Sequence, residues 1–356
     1  MEFIKMHAAG NDYIYVDGDK NKNADFPATA KTACDRRFGI GADGIIAVYD
    51  DSARGGDLFM RIFNADGSEG STCGNGLRCS AVFAKMTGKT DKTEIKIRTL
   101  SATHNVSFRK YGDKIISTAD FPMPEFAATD AVTETALKSV FNDREPENPH
   151  KTPKPFKTPG NLSGNVNVPE TDISRETKLS DRTRADRSDR SDRADRDGHP
   201  GYFDEPAGIA RIVNNGNLHA VFFGAKKTAE TISAELLSAG VFPDGINVES
   251  AAVFEDVITC DVCERGSGTT YSCGSGAIAT AFAAKNTLGL KLDKYPVMMR
   301  GGTLFVEFDG NVARLSGEVT PVYRGTYFGG EFLRDDKNRD KKDFKENLRK
   351  DSTEDI

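Results

Sequence analysis

A chain of 356 residues exceeds what one hydrophobic core usually fills, so two lobes are expected, and 37% hydrophobic with 29% charged content implies a stretch that joins neither core. The net charge of -6, with no basic face, argues against a nucleic-acid partner, and no apolar run nears the roughly 20 residues that cross a bilayer, so no membrane role is expected. Six cysteines are too few for a disulfide scaffold, and with no charged-then-apolar leader in the sequence the expected setting is cytoplasmic, where thiols stay reduced.

In chain order, the alternating run Tyr13-Ile14-Tyr15-Val16 reads as a strand, and a helix is expected from Pro27 to near Gly39. Strands follow over 45–48 and 58–63, then the turn Asn64-Ala65-Asp66-Gly67. Cys73-Gly74-Asn75-Gly76 opens a small-residue, apolar helix that runs to Met86 and stops at Gly88, after which strands continue to Phe121. Residues 127 to about 200 differ in kind. They are rich in Pro, Asn, Thr and Ser and end in a run from Asp181 to Asp197 with six Asp and six Arg, a balanced composition with too little apolar surface to offset its ordering entropy.

Compact character returns at Gly208, with strands over 209–213 and 220–223, a helix over 228–239 and strands over 248–262. Cys273-Gly274-Ser275-Gly276 opens a second small-residue helix to Leu288, ended by Gly289, and strands carry the chain to Phe328. The expected partition is an N-terminal lobe over 1–126, a low-complexity insert over 127–204, a C-terminal lobe over 205–333 and a charged tail over 334–356.

Residues 73–85 align without gaps on 273–285, and Ala9-Gly10-Asn11 before a strand matches Asn215-Gly216-Asn217 before a strand. Two matches in the same order argue for a duplicated lobe, with the halves facing each other across a cleft. A single Cys-Gly-x-Gly is ordinarily a buried small-residue turn; its repetition at equivalent positions points to chemistry. A cysteine at a helix N-terminus sits among unpaired N–H groups at the positive end of the dipole, which favours thiolate and should lower its pKa. The glycines let backbone N–H groups approach a carboxylate. Two such helices aimed at one site would put a sulfur on each face of a carbon, which is what inversion of a stereocentre requires: one base removes a proton and one acid returns it from the opposite side.

The other four cysteines read as structural. Cys34 and Cys79 lie in helical stretches, and Cys260 and Cys263, spaced like half a zinc site, fall in a strand where positions three apart face opposite sides. No metal site is expected, and neither a dinucleotide-binding glycine loop nor a P-loop occurs.

These motifs resemble the diaminopimelate epimerase family. The resemblance runs through 1–125 and 205–330, on residues 5–12, 39–44 and 63–69, both cysteine motifs, and Glu264-Arg265-Gly266. It implies an α+β fold of two pseudo-symmetric lobes, each a curled mixed or antiparallel sheet, barrel-like, around a central helix, with the final strand returning to the first lobe. It also implies epimerisation of LL- to meso-diaminopimelate without cofactor or metal, by Cys73 and Cys273. By the same resemblance Gly74, Asn75, Gly274 and Ser275 hold the α-carboxylate, and Asn11 and Asn64 match further binding positions. Asn217, Asn247, Glu264 and Arg265 match residues that grip the distal end, and an anion beside a planar cation suits a second ammonium and carboxylate. His219 either relays a proton or orients a neighbour. The sequence departs from the family pattern at Leu218, where proline is usual, and at Gly44, where some members carry glutamine. The partner expected is a small molecule, in a chain that is expected to form a homodimer; a racemase of histidine or proline on the same fold is the alternative reading.

Overall fold

The computed structural model describes residues 1–141 and 208–329. The first half runs β1 (Glu2–Ala8), β2 (Asn11–Asp17), α1 (Phe26–Ala33), β3 (Gly44–Asp50), β4 (Leu58–Asn64), β5 (Glu69–Gly70), α2 (Gly74–Met86), β6 (Glu94–Arg98), β7 (Thr103–Tyr111), β8 (Lys114–Pro122) and β9 (Glu125–Phe126). Helix α3 (Ala131–Ser139) follows. The second half repeats the order with β10 (Ile209–Asn214), β11 (Leu218–Phe223), α4 (Ala229–Ser238), β12 (Asn247–Phe254), β13 (Val257–Glu264), β14 (Gly268–Thr269), α5 (Gly274–Ala283), β15 (Tyr295–Met299), β16 (Gly302–Asp309) and β17 (Val312–Thr326).

Pairing closes the first half into an eight-stranded barrel. From β1 it passes antiparallel to β2, parallel to β3, antiparallel to β4, parallel to β6, then antiparallel through β7 and β8 to β17, which pairs back on β1. The second half follows the same alternation through β10, β11, β12, β13, β15, β16 and β17, with β9 on β10 at the other edge. The two halves therefore exchange strands. Residues 312–319 of β17 pair with β8, and residues 319–326 pair with β1.

Period-2 alternation decides which side chains meet each central helix. On β3, Ile46 and Val48 join the cluster around α2 with Leu77, Val82 and Phe83, whereas Ile45 and Ala47 face α1 with Phe26 and Ala30. Helix α5 lies in the matching cluster of the second half, with Val221, Ile258, Val297 and Leu304. Cys260 belongs to that inner cluster, and Cys263, three residues on, packs outside with Leu236 and Val248. Both are buried with their strand, and burial pushes each thiol up, which disfavours the reactive thiolate.

Helix α1 is shorter than its sequence suggests. Asp25 caps it by accepting from Ala28 N–H at 3.1 Å, but it ends at Ala33 because the Asp35 carboxylate takes the N–H groups of Arg37 and Phe38, each at 2.7 Å, and turns the chain away. Helix α5 passes into a wider π turn over Ala284–Leu288 before Gly289, at φ 70°, stops it. Within the expected insert, residues 131–139 form α3, capped by Asp130, with Leu137 and Val140 packed on β10 and β11 side chains. The rest of that stretch, with its Asp/Arg run, lies outside the described residues, as does the tail over 334–356.

Asp51, 3% exposed, receives Arg98 bidentately at 2.6 and 2.8 Å, and these bonds hold its carboxyl below the usual carboxylate range. A lowered folded pKa means stability that is complete above the unfolded value, near 3.8, and lost as pH falls through the folded one. Asp51→Asn should therefore cost about 2 kcal/mol at neutral pH and lose its effect in strong acid. Urea unfolding at pH 7 and pH 2 reads this out; an equal penalty at both values would contradict it.

Candidate active site

The duplicated helices meet end to end where the barrels join. Cys73 and Cys273 are the N-caps of α2 and α5, both in extended backbone, and each sulfur accepts the N–H three residues on, Gly76 and Gly276, at 3.3 Å. Gly74 and Gly274 face each other so closely that a Cβ on Gly274 would lie 3.5 Å from Gly74 Cα and 3.7 Å from Asn75 N. Asn75 spans the joint: its amide donates to Ser272 Oγ of the other half at 3.1 Å and to Asn11 Oδ1 at 3.4 Å. The backbone after both cysteines is thus brought together at Gly74, Asn75 and Gly274, and free N–H groups at helix N-termini are able to hold an anion.

Around Cys73, the thiol donates to Asn11 Oδ1 at 3.5 Å, and Asn11 is held by its own amide on Asp43 at 2.8 Å. Burial pushes the Asp43 carboxyl up, while Asp12 beside it, against the opposing effect of burial, is held low by Arg36 and Lys5. Around Cys273, Ser275 Oγ lies at 3.3 Å and the Cys273 N–H donates to Met299 Sδ at 3.4 Å. Glu264 faces both sulfurs: it accepts from Thr270 Oγ1 at 2.5 Å, interacts directly with the Cys273 thiol, and disfavours a negative charge on either. Burial pushes the Glu264 carboxyl up.

The helix termini do not lower the thiols as their sequence position suggests. Burial comes first and raises both Cys73 and Cys273; the Gly76 and Gly276 N–H bonds act in the expected direction and are outweighed.

The remaining expected residues lie mostly in the second half, with Asn64 in the first. His219 and Glu249, both fully buried, lie 2.6 Å apart through Nδ1 and Oε1, and His219 Nε2 sits 3.0 Å from Asn217 Oδ1. Asn247 uses both ends of its amide on backbone, donating to Leu218 O at 2.9 Å and accepting from Arg265 N–H at 3.0 Å. It positions the Arg265 segment, whose side chain is exposed and runs past Gly245. Asn64 ends β4 and donates to Ser68 Oγ at 2.9 Å. Among the described residues Asn64, Asn217, Asn247 and Arg265 make no hydrogen bond to either sulfur, whereas Asn11 and Ser275 do.

Four contributors were not picked out as site residues, although Asn215, Asp43 and Arg78 lie within the motifs and only Glu249 outside them. Asn215 donates to Ser275 O at 2.8 Å, Asp43 holds Asn11, Arg78 holds Asn75, and Glu249 lies beneath α5. The available signal was a lone charge inside an apolar run: Arg78 in its helix and Glu249 in its strand. No helix among the described residues is long and apolar enough to cross a membrane, and no cluster of three metal-ligating side chains occurs among them.

The family model described as diaminopimelate epimerase matches residues 3–121 and 211–322, which take in most of both halves. Diaminopimelate epimerase of Halothermothrix orenii is 31% identical over 91% of this chain and 97% of its own, and that of Bacteroides thetaiotaomicron 32% identical over 92% and 98%. Among solved structures, a phenazine biosynthesis protein of the PhzF family from Bacillus anthracis superposes with a TM-score of 0.57 at 13% identity, covering 91% of this chain and 98% of that one. A protein titled a predicted epimerase from Pseudomonas aeruginosa gives 0.54 at 14%, covering 92% and 99%. These share the pseudo-symmetric double-barrel fold. The chain belongs to the diaminopimelate epimerase family and is an amino-acid epimerase of the isomerase class.

Proposed function

We propose that the protein interconverts LL- and meso-diaminopimelate, a step in lysine and peptidoglycan precursor synthesis, with Cys73 and Cys273 as the proton-transfer pair. The observation that carries this reading is the abutment of two cysteine-capped helix N-termini at Gly74 and Gly274. The α-carboxylate sits on the N–H groups of Gly74, Asn75, Gly274 and Ser275, and Asn11 and Asn64 border the same end. The α-carbon then lies between the sulfurs. A thiolate takes the α-proton, the electron pair passes into the bound carboxylate, and the opposite thiol returns its own proton to the other face. The protein's own groups supply this chemistry with no cofactor assigned a role.

Hydrogen bonds to a charged carboxylate contribute about 1.5–3 kcal/mol each, and helix dipoles up to about 2 kcal/mol each when partly buried. Four such bonds approach 10 kcal/mol, the low end of what an enzyme removes from a barrier. The distal ammonium and carboxylate are assigned to Glu264 and Arg265, with Asn217 and Asn247 shaping that end. His219 supports through Asn217 and Glu249.

Incubation in deuterium oxide with LL-diaminopimelate, meso-diaminopimelate, histidine and proline tests the substrate. Deuterium should enter the α-position of both diaminopimelates alone. Uptake by histidine or proline, with none by diaminopimelate, would transfer the reading to a racemase of that amino acid.

A further inference from the structure

The two halves share their backbone but carry different charges behind their cysteines. Strand register equates Tyr13 with His219 and Ile46 with Glu249, because Tyr13 pairs Gly44 and His219 pairs Asn247 at the same step of β2–β3 and β11–β12. The helix repeat equates Arg78 with Ile278. A Cβ on Gly76 would meet Ile46 Cδ1 at 2.7 Å, and one on Gly276 would meet Glu249 Oε1 at 2.6 Å. One helix start therefore rests on an aliphatic side chain and the other on a carboxylate.

Arg78 is fully buried. Its guanidinium reaches Asn75 Oδ1 and, through Nε, Gly74 O at 3.3 Å, while Nη1 meets no hydrogen-bond partner among the described residues. Nη1 fits only because residue 317 is glycine, whose Cβ would lie 2.4 Å away. A guanidinium stays charged even when burial lowers its pKa, and a buried charge without a counter-ion is costly. The acidic groups that it attracts are Cys79, Cys73 and Tyr15. Burial pushes Cys79 to about 12 and Tyr15 well above its ordinary value, so both stay neutral. Burial raises Cys73 too, but less far than Cys273, and Arg78 bonds Gly74 O beside it, so its cation counters part of that rise. Across the joint, Glu249 is fully buried, shares Oε1 with His219, leaves Oε2 without a partner among the described residues, and opposes negative charge on Cys273.

We propose that Arg78 and Glu249 are positioning residues that break the symmetry of the duplicated site, so that Cys73 gives up its proton more readily than Cys273. This rests on the reading of the two cysteines as the proton-transfer pair. Other ionisable groups face them: Tyr13, which hydrogen-bonds the Cys73 sulfur, Glu264, which faces both, and His219 on the Cys273 side. Glu264 opposes negative charge on both thiols and interacts directly only with that of Cys273, so it adds to the asymmetry set by Glu249. In turnover Cys73 gains the α-proton while Cys273 gives its own, and solvent exchange then returns the pair to its resting state.

The test is iodoacetamide alkylation of the full chain without substrate, followed peptide by peptide by mass spectrometry across a pH series. The midpoint of each rate profile reports ionisation independently of access. The Cys73 midpoint should lie at least about one pH unit below that of Cys273, a tenfold difference in ionisation. Glu249→Gln should lower the Cys273 midpoint, Arg78→Met should raise that of Cys73, and Arg78→Lys, which keeps the charge, should restore it. If Arg78→Met does not fold, Arg78→Lys and Glu249→Gln carry the test. A wild-type Cys273 midpoint at or below that of Cys73, or Glu249→Gln without effect on Cys273, overturns the proposal. Neither outcome depends on turnover, so loss of the proton-pair reading, seen as full activity in the cysteine variants, is separately visible.

Discussion

Cys73→Ala and Cys273→Ala should each reduce epimerisation of diaminopimelate by about 10⁴-fold or more, since inversion needs both an acid and a base and general acid–base groups contribute up to about 10⁴ each. The folded state should survive both changes. Each sulfur accepts one N–H, from Gly76 or Gly276, so each variant loses one helix cap worth about 1 kcal/mol. Steady-state assays with both epimers, alongside urea unfolding, separate the two effects. A variant that retains more than a tenth of wild-type turnover would remove its cysteine from the mechanism.

Gly274→Ala should be nearly as damaging, although it removes no functional group. The new Cβ would lie 2.8 Å from Leu315 Cδ2, a fully buried side chain that also lies 3.1 Å from the position of a Cβ on Gly74, and 3.5 Å from the Gly74 backbone. Leu315 has little room to yield inside a packed core. Relief comes from parting the helix ends, and a displacement near 1 Å at a reacting centre costs about 10²-fold. We expect kcat/KM to fall by about that factor, with about 1–3 kcal/mol lost in stability. An alanine variant with unchanged kcat/KM would show that the helices need not approach so closely.

Much of this architecture was written in local pattern. The cysteine helices were visible because small residues after an N-cap cysteine recur 200 residues apart, and the strands through Ile45, Leu58 and Val248 because their apolar runs are short and bounded by turn residues. What local pattern did not carry was closure. That β17 would pair with β8 over one stretch and β1 over the next depends on contacts 190 to more than 300 residues away, for which no periodicity exists. The early end of α1 depended on Asp35, whose turn-forming side chain competes with helix continuation.

The candidate site divides in the same way. The motifs picked out residues that the fold brings together, Asn11 with Cys73, Ser275 with Cys273, and Asn75 across the joint. They say nothing of depth, and burial reverses the expected direction for both thiols. Arg78 and Glu249 stand where an apolar residue would serve the fold, so their meaning emerges only when the halves are superimposed in register. Asn247 shows the converse case: it matches a binding position, yet both of its polar groups are engaged with backbone.

The central claim is that separate groups, one from each half, serve the two faces of one carbon. It is tested most directly by stopping the conversion of LL-diaminopimelate in deuterium oxide well before equilibrium and locating the label. The account predicts deuterium at the α-carbon of the meso product while unreacted LL-diaminopimelate keeps its protium. Label appearing equally in both from the earliest times would mean that a single group handles both faces, and would contradict it.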